Sequence, residues 1–334
     1  MDLEKLKFIL EDEPAYRLNQ ARHAIFKDII SDWSENTTLS LALREKLNIE
    51  CPLNIDAEVF DSSSSKSTKA LITLEDGVKI ETVLLHHVSG RNTVCVSSQV
   101  GCQMGCQFCA TGQMGYVRNL TVSEIIEQVL FWERRLKDKN DSVGVNNVVF
   151  MGMGEPFMNY DNVLSAINII NSAVGFNIGV RHISVSTAGL IDGINKLSSE
   201  KLSINLAISL HATNDRLRSQ LMPINNEYPI KKLMSAVDKY VQKKSRRVMF
   251  EYMMIEGVND SREDAMELAD LLAGEPLYMV NLIRYNSTGR YRPSSREVIA
   301  EFKNILMQRG INVTQRYSFG KDIKAACGQL AGRA

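Results

Sequence analysis

Three cysteines in the segment GCQMGCQFCATG, Cys102, Cys106 and Cys109, have the spacing Cys-x3-Cys-x2-Cys. Three thiolates with no fourth nearby suit an iron–sulfur cluster held by three of its irons. The remaining iron is open to a ligand that reacts, whereas electron-transfer clusters use four cysteines. Closed structural zinc sites also use four ligands. A three-thiolate loop this rich in glycine therefore reads as a working site, and the competing reading is a zinc site with a distant fourth ligand. Cys95 lies seven residues before the trio, and Cys327 lies near the end in DIKAACGQLAGRA. A lone cysteine is more often a small buried hydrophobe than a nucleophile, and Cys51 is read that way. Cys327 sits among small residues where a mobile segment could carry a thiol into a site, and Lys321 and Lys324 would favour its thiolate.

Chemistry of this kind needs a scaffold, and 334 residues suffice for one large α/β barrel with a small accessory region. Residues 1–47 look helical, with Pro14 suited to a first helical turn. SSSSKST (62–68) reads as a loop, and LITLEDGVKIETVLL as a hairpin turning at Asp76-Gly77. An accessory region of helices plus hairpin is expected over 1–90, a barrel over 91–316 and a tail bearing Cys327 over 317–334. From residue 93 the chain alternates. Strand-like runs fall at 93–98, 146–151, 181–187, 203–210, 247–254 and 278–283, with amphipathic helices at 122–136, 160–173, 230–242 and 262–273. Thr121 and Glu124 fit a capping box. Six β–α units predict an α/β fold, a partial (β/α)6 barrel with parallel strands; a doubly wound sheet is the alternative.

In barrels of this type the chemistry gathers where strands end. The first strand leads into the cysteine loop, and the second into Gly152-Met153-Gly154-Glu155-Pro156. The third ends Ser184-Val185-Ser186-Thr187, the fourth Ser209-Leu210-His211 and the sixth Arg284-Tyr285-Asn286. These small or polar clusters follow apolar runs and share one rim.

Composition is that of an ordinary soluble globular chain, 44% hydrophobic and 23% charged. No apolar run approaches the ~18 residues of a membrane span. The acidic N-terminus is unlike a signal peptide, so a cytoplasmic protein with reduced thiols is expected. Net charge is zero, yet residues 284–333 hold ten Lys/Arg against three Asp/Glu. Lys243, Lys244, Arg246 and Arg247 form a second basic cluster. Such patches fit a nucleic-acid partner or a solvated face.

The cysteine spacing resembles the signature of radical S-adenosylmethionine (SAM) enzymes. The strings RNTVCVSSQVGCQMGCQFCATG, FMGMGEPFMNYDNV, VSTAGL, ISLHATND, LMPIN, EGVNDS, LIRYN and DIKAACGQLAG together resemble the RlmN/Cfr family of radical SAM RNA methyltransferases, from about residue 14 to 331. The resemblance implies a [4Fe-4S] cluster on Cys102, Cys106 and Cys109. It implies SAM contacts at Gly154, Glu155, Ser186, Ser209, Leu210, His211 and Asn286. Cys327 would be the methyl carrier, Cys95 the cysteine that resolves a covalent RNA adduct by forming a disulfide, and Glu81 in IETV the general base. Two SAM molecules would be spent, one to methylate Cys327 and one to make the radical that activates that methyl group. Implied partners are 23S rRNA, tRNA and a reductant such as flavodoxin or ferredoxin, acting on a monomer. The motifs mix features of enzymes that methylate carbon 2 of adenosine with features of those that methylate carbon 8, and carbon 2 is favoured. A metal-bearing RNA-binding module without catalysis is the reading from another class.

Overall fold

The computed structural model describes residues 1–139, 141, 143–316 and 319–332. Tyr317, Ser318 and Arg333, which belong to the expected tail and basic run, lie outside the described residues. The N-terminal stretch is helical as expected, with α1 (Leu3–Ile9), α2 (Tyr16–Phe26) and α3 (Leu41–Glu50). Next come β1 (Asp56–Asp61), β2 (Ser67–Thr73) and β3 (Lys79–His86), the last two joined by the expected hairpin with Gly77 in the left-handed region. After β4 (Asn92–Cys95) a small antiparallel ribbon, β5 (Gln99–Gly101) and β6 (Tyr116–Asn119), brackets the cysteine loop and the one-turn helix α4 (Ala110–Gln113). That ribbon has no clear signal in the sequence. It closes the base of the loop through Cys102 N–H to Gly115 O at 2.8 Å.

The remainder alternates: α5 (Val122–Asp138), β7 (Asn147–Phe150), α6 (Tyr160–Asn171), β8 (Ile183–Thr187), α7 (Ile191–Ser199), β9 (Asn205–Ser209), α8 (Asp215–Leu221), α9 (Ile230–Lys244), β10 (Val248–Met254), α10 (Arg262–Leu272), β11 (Tyr278–Arg284), α11 (Arg296–Gln308) and β12 (Asn312–Arg316). The Thr121–Glu124 capping box opens α5 as expected. The strands form one sheet in the order β1-β2-β3-β4-β7-β8-β9-β10-β11-β12. It is antiparallel up to β4 and parallel from β4 onward. The six expected parallel strands are present, and β12 adds a seventh. The hairpin of β2 and β3 extends the same sheet across residue 90, because β3 pairs with β4.

Successive strand residues face opposite sides. Val94, Val148, Ile183, Val185, Leu206, Ile208, Phe250 and Leu282 are essentially fully buried. The opposite parity, including Val83, Cys95, Val149, Ser186, Ser209, Glu251, Met253 and Ile283, lines a cavity. The outer helix α5 also ties the N-terminal helices down: Arg134 donates to Ile30 O and Leu53 O, and Trp132 Nε1 donates to Thr82 Oγ1 at 3.1 Å. No helix among the described residues is long and apolar enough to cross a membrane.

One group on α5 makes stability depend on pH. Glu133 Oε1 accepts Val145 N–H at 3.2 Å, and burial pushes its carboxyl up to about 7. The unfolded chain loses that proton near the ordinary value of 4.5, so the folded state binds it more tightly. Its contribution is full below about pH 4.5 and is lost as pH rises to about 7 and beyond, on the order of 1–3 kcal/mol. Glu133→Gln should therefore raise the melting temperature at pH 8 and change it little near pH 4.5. An equal shift at both pH values would show that Glu133 does not titrate this way.

Candidate active site

The parallel strands end around a cavity of about 200 Å³. Cys102, Cys106 and Cys109 line it, together with Gly154, Glu155, Ser186, Ser209, His211, Cys95 and Cys327. Burial pushes Cys102 up to about 12 and Cys106 well above the usual thiol range, and it raises Cys109; each also feels the charge of a neighbouring thiol. Without a metal these are neutral thiols that would repel one another once ionised. A cationic cluster core is what makes three such thiolates compatible, since metal ligation requires the deprotonated form. Among the described residues no three His, Cys, Asp or Glu side chains gather as ligands of a single ion. All three donors are thiolates, the ligand that iron–sulfur clusters take. The donor set fits a cluster, with Cys102, Cys106 and Cys109 as the residues to hold it.

The loop after β7 approaches the cysteine-bearing segment so closely that only glycine fits. A Cβ on Gly154, at φ +98°, would sit 2.5 Å from Gln99 Cβ, and one on Gly152 would sit 2.7 Å from Val96 O. Glu155 is buried between its own loop and the end of β8. Oε1 accepts Phe157 N–H at 3.0 Å and Oε2 accepts Ala188 N–H at 2.7 Å. Burial outweighs these bonds and pushes the carboxyl up to about 7. On the adjoining strands, the hydroxyl oxygens of Ser186 and Ser209 lie 3.5 Å apart.

His211 has left-handed backbone, φ 58°. Its Nδ1 accepts Met253 N–H at 3.1 Å, and its ring meets Phe108 edge-on. Burial pushes it down to about 3, so the imidazole is neutral with its proton on Nε2. Leu210 and Asn286 are not among the residues that line the cavity. Leu210 donates to Glu251 O and accepts from Arg218. Asn286 Nδ2 donates to Cys327 O at 3.1 Å, leaving its buried Oδ1 without a partner.

The C-terminal segment closes the cavity. Ala110 N–H donates to Gly328 O at 2.8 Å and Thr111 Oγ1 to Leu330 O at 2.6 Å. Asp322 accepts from the Ser62 and Ser63 hydroxyls in the β1–β2 loop. Glu81, fully buried on β3, pairs through Oε1 with Lys69 Nζ at 2.7 Å. Its Oε2 accepts from Ala331 N–H at 2.6 Å and Gly332 N–H at 3.2 Å. Glu81 is thus covered by the C-terminal segment and does not line the cavity. All six cysteines are free thiols. Cys51 is fully buried, its Sγ against Asp2 O. Cys95 is pushed up to about 12, first by burial and then by the charge of Cys327.

The cation facing Cys95 and Cys327 is Arg316, which lines the cavity; Lys321 and Lys324 do not. The basic run at 284–333 is correspondingly not one face. Arg316 points inward, Arg309 pairs with Asp270 and Arg284 donates to Ser294 O, while Arg290 and Arg292 are exposed. The second basic cluster is also spent locally, Lys243 on Ser199 and Arg246 on Asn205.

Several site residues escaped sequence reasoning. Arg218 is fully buried and donates to Ala188 O, Ser209 O, Leu210 O and Asn225 Oδ1, knitting the ends of β8 and β9 together. Ser209, Glu251, Asn281 and Thr314 are register partners on β9 to β12 and make one inward polar row. A single Glu in VMFEYMM and a single Asn in YMVNLIR were the available signals, because a lone polar residue inside an apolar strand needs a partner or a task.

The chain matches the profile of the radical SAM superfamily over residues 96–269. It is 46% identical over 333 residues to a protein of Dictyoglomus thermophilum named "Probable dual-specificity RNA methyltransferase RlmN", covering 98% of this chain and 94% of that one. It is 44% identical to the protein of that name in Bacillus subtilis, covering 99% and 92%. The crystal structure of a radical SAM methyltransferase from Sphaerobacter thermophilus superposes with a TM-score of 0.94 at 43% identity, covering 100% of this chain and 98% of that one. With its cysteine cavity and its near full-length likeness to these proteins, the chain belongs to the RlmN family of radical SAM methyltransferases.

Proposed function

We propose that this enzyme methylates carbon 2 of an adenosine in 23S rRNA, and of an adenosine in tRNA, in the cytoplasm. The observation that carries the reading is the convergence of Cys95 and Cys327 on the cavity lined by Cys102, Cys106 and Cys109. A zinc-bearing binding module has no use for a second pair of thiols facing the first set. Bound at those three cysteines, a [4Fe-4S] cluster supplies the electron that splits SAM, and a flavodoxin or ferredoxin suits its low potential.

The chain's own residues do the rest. Gly154, Glu155, Ser186, Ser209 and the neutral His211 offer backbone, carboxylate, hydroxyl and Nε2–H groups for a polar ligand such as SAM. Leu210 and Asn286 support that wall. Cys327 carries the methyl group to adenine, and Cys95 attacks Cys327 Sγ to release the product, leaving a disulfide that a cellular thiol reduces. Glu81 takes the ring proton once residues 331–332 withdraw from its Oε2. The domain reading follows the same logic: 91–316 hold the cofactors, 317–334 deliver the carrier thiol, and 1–90 supply Glu81. Exposed Arg290 and Arg292 are the phosphate contacts we assign first, being next to the loop that holds Cys327.

The test is mass spectrometry of nucleosides from 23S rRNA and tRNA incubated with reconstituted enzyme, SAM and reductant. 2-Methyladenosine in both RNAs is the expected product. 8-Methyladenosine would move the enzyme to carbon-8 chemistry, and no methylated adenosine in either RNA would overturn the proposal.

A further inference from the structure

Glu251 sits at the middle of β10, 3% exposed, where a carboxylate is costly unless both oxygens are satisfied. Oε1 is satisfied: Asn281 Nδ2 donates to it at 2.9 Å. The Asn281 amide cannot turn away, because the Thr314 hydroxyl donates to its Oδ1. Among the described residues, Oε2 has no donor within hydrogen-bonding distance. The nearest cation, Arg316 Nη1, stands 3.6 Å off. Among the described residues, the hydrogen bond that this guanidinium makes is to the sulfur of Met151, a weak acceptor, at 3.3 Å. Both side chains line the cavity beside Cys95 and Cys327. The protein therefore keeps a charged acceptor and a charged donor side by side, each with capacity left over, next to its two reactive thiols.

We propose that Glu251 and Arg316 form a fork that reads an edge of the target adenine, Glu251 Oε2 accepting from the amino group and Arg316 donating to the adjacent ring nitrogen. This rests on the RNA methyltransferase reading above. Each polar edge of adenine carries that pair, the amino donor beside N1 or beside N7. Hypoxanthine reverses it on the N1 edge, with a carbonyl acceptor beside an N–H. A ribose diol is the other ligand that seeks a carboxylate, but it is best met by two free oxygens, and Asn281 occupies one. Enzymes that modify a base draw it out of the stack into such a pocket. The edge read also orients the base: N1 borders carbon 2, and N7 borders carbon 8. With the N1 edge on the fork, carbon 2 lies next to the nitrogen held by Arg316, on the side of Cys95 and Cys327.

The experiment compares a stem-loop RNA carrying the unmethylated target adenosine with the same RNA carrying inosine there, using cluster-loaded full-length enzyme. RNA affinity and SAM affinity are measured separately. Wild type should prefer the adenosine RNA by about tenfold or more, the scale of a lost charged hydrogen bond. Glu251→Gln, whose amide can donate as well as accept, should lose most of that preference while binding SAM within about twofold of wild type. Arg316→Met should lose it too, and Arg316→Lys should retain part of it. Arg316 is on the edge strand β12, so its variants carry the test should Glu251→Gln fail to fold. Preference intact in both Glu251→Gln and Arg316→Met overturns the fork. So does a matched fall in SAM affinity with preference intact, which would assign the pair to the SAM ribose. Wild type that binds neither RNA overturns the functional reading itself and the fork with it.

Discussion

Alanine at any one of Cys102, Cys106 or Cys109 is expected to strip the bound iron and abolish SAM cleavage while leaving the barrel folded. The loop that carries these thiols is fixed by its backbone. Cys102 N–H is held by Gly115 O, Gln107 N–H by Leu221 O at 2.9 Å, Cys109 N–H by Cys106 O at 3.1 Å and Ala110 N–H by Gly328 O. None of these bonds uses a sulfur. Removing one sulfur from a well-packed position costs on the order of 1 kcal/mol, within the stability of a domain. Removing a ligand from a three-thiolate cluster site leaves an iron without its protein thiolate. Iron content by colorimetric assay and cluster absorbance near 400 nm are the readouts, with circular dichroism as the check on folding. Full iron in all three variants would defeat the ligand assignment.

That site was legible because its chemistry is local in sequence. Cys102 to Cys109 span one loop, and GMGEP declares its tight turn through glycines that the close approach to Val96 and Gln99 requires. The six strongest strands announced themselves as apolar runs. β12 did not, because NVTQR at the sheet edge holds one apolar residue, Val313, and its pattern resembles solvent-exposed chain. With β12 unseen, Arg316 was counted among surface cations when it faces two thiols. Charge counts along a sequence cannot say which way a strand residue points; that depends on register, and one residue of slip reverses it. The polar row from Ser209 to Thr314 was illegible for the same reason, since it exists only across four strands paired in register. Leu210 and Asn286 carried motif signals, yet the backbone of Leu210 is spent on Glu251 and Arg218 and the Asn286 Nδ2 on Cys327, which leaves the Asn286 Oδ1 as the free group. Glu81 shows a further limit. Nothing near IETV indicates that Lys69, twelve residues earlier, and the amides of Ala331 and Gly332 would converge on its carboxylate.

Removing Cys327 and removing Cys95 should fail in different ways, and the packing allows both variants to fold. The segment bearing Cys327 is anchored on either side of it by Asp322 on Ser62 and Ser63 and by Ala331 and Gly332 on Glu81. At the cysteine itself the anchor is its carbonyl on Asn286. None of these needs the thiol. Cys327→Ala should therefore keep its cluster and still cleave SAM when reduced, yet yield no methylated RNA and no covalent adduct, for want of a sulfur to carry the methyl group. Cys95 ends β4 and contributes a half-buried thiol rather than a core side chain. Cys95→Ala should load Cys327 and attack adenine, then stop, because a carbon–sulfur link does not open without a nucleophile placed at the sulfur. A protein–RNA crosslink that survives denaturation should accumulate and map to Cys327 by peptide mass spectrometry. Normal turnover by Cys95→Ala, or a crosslink at another residue, would exclude the two-cysteine mechanism in this chain. Identical behaviour of the two variants would make the pair structural, leaving the shared cavity to be explained by packing alone.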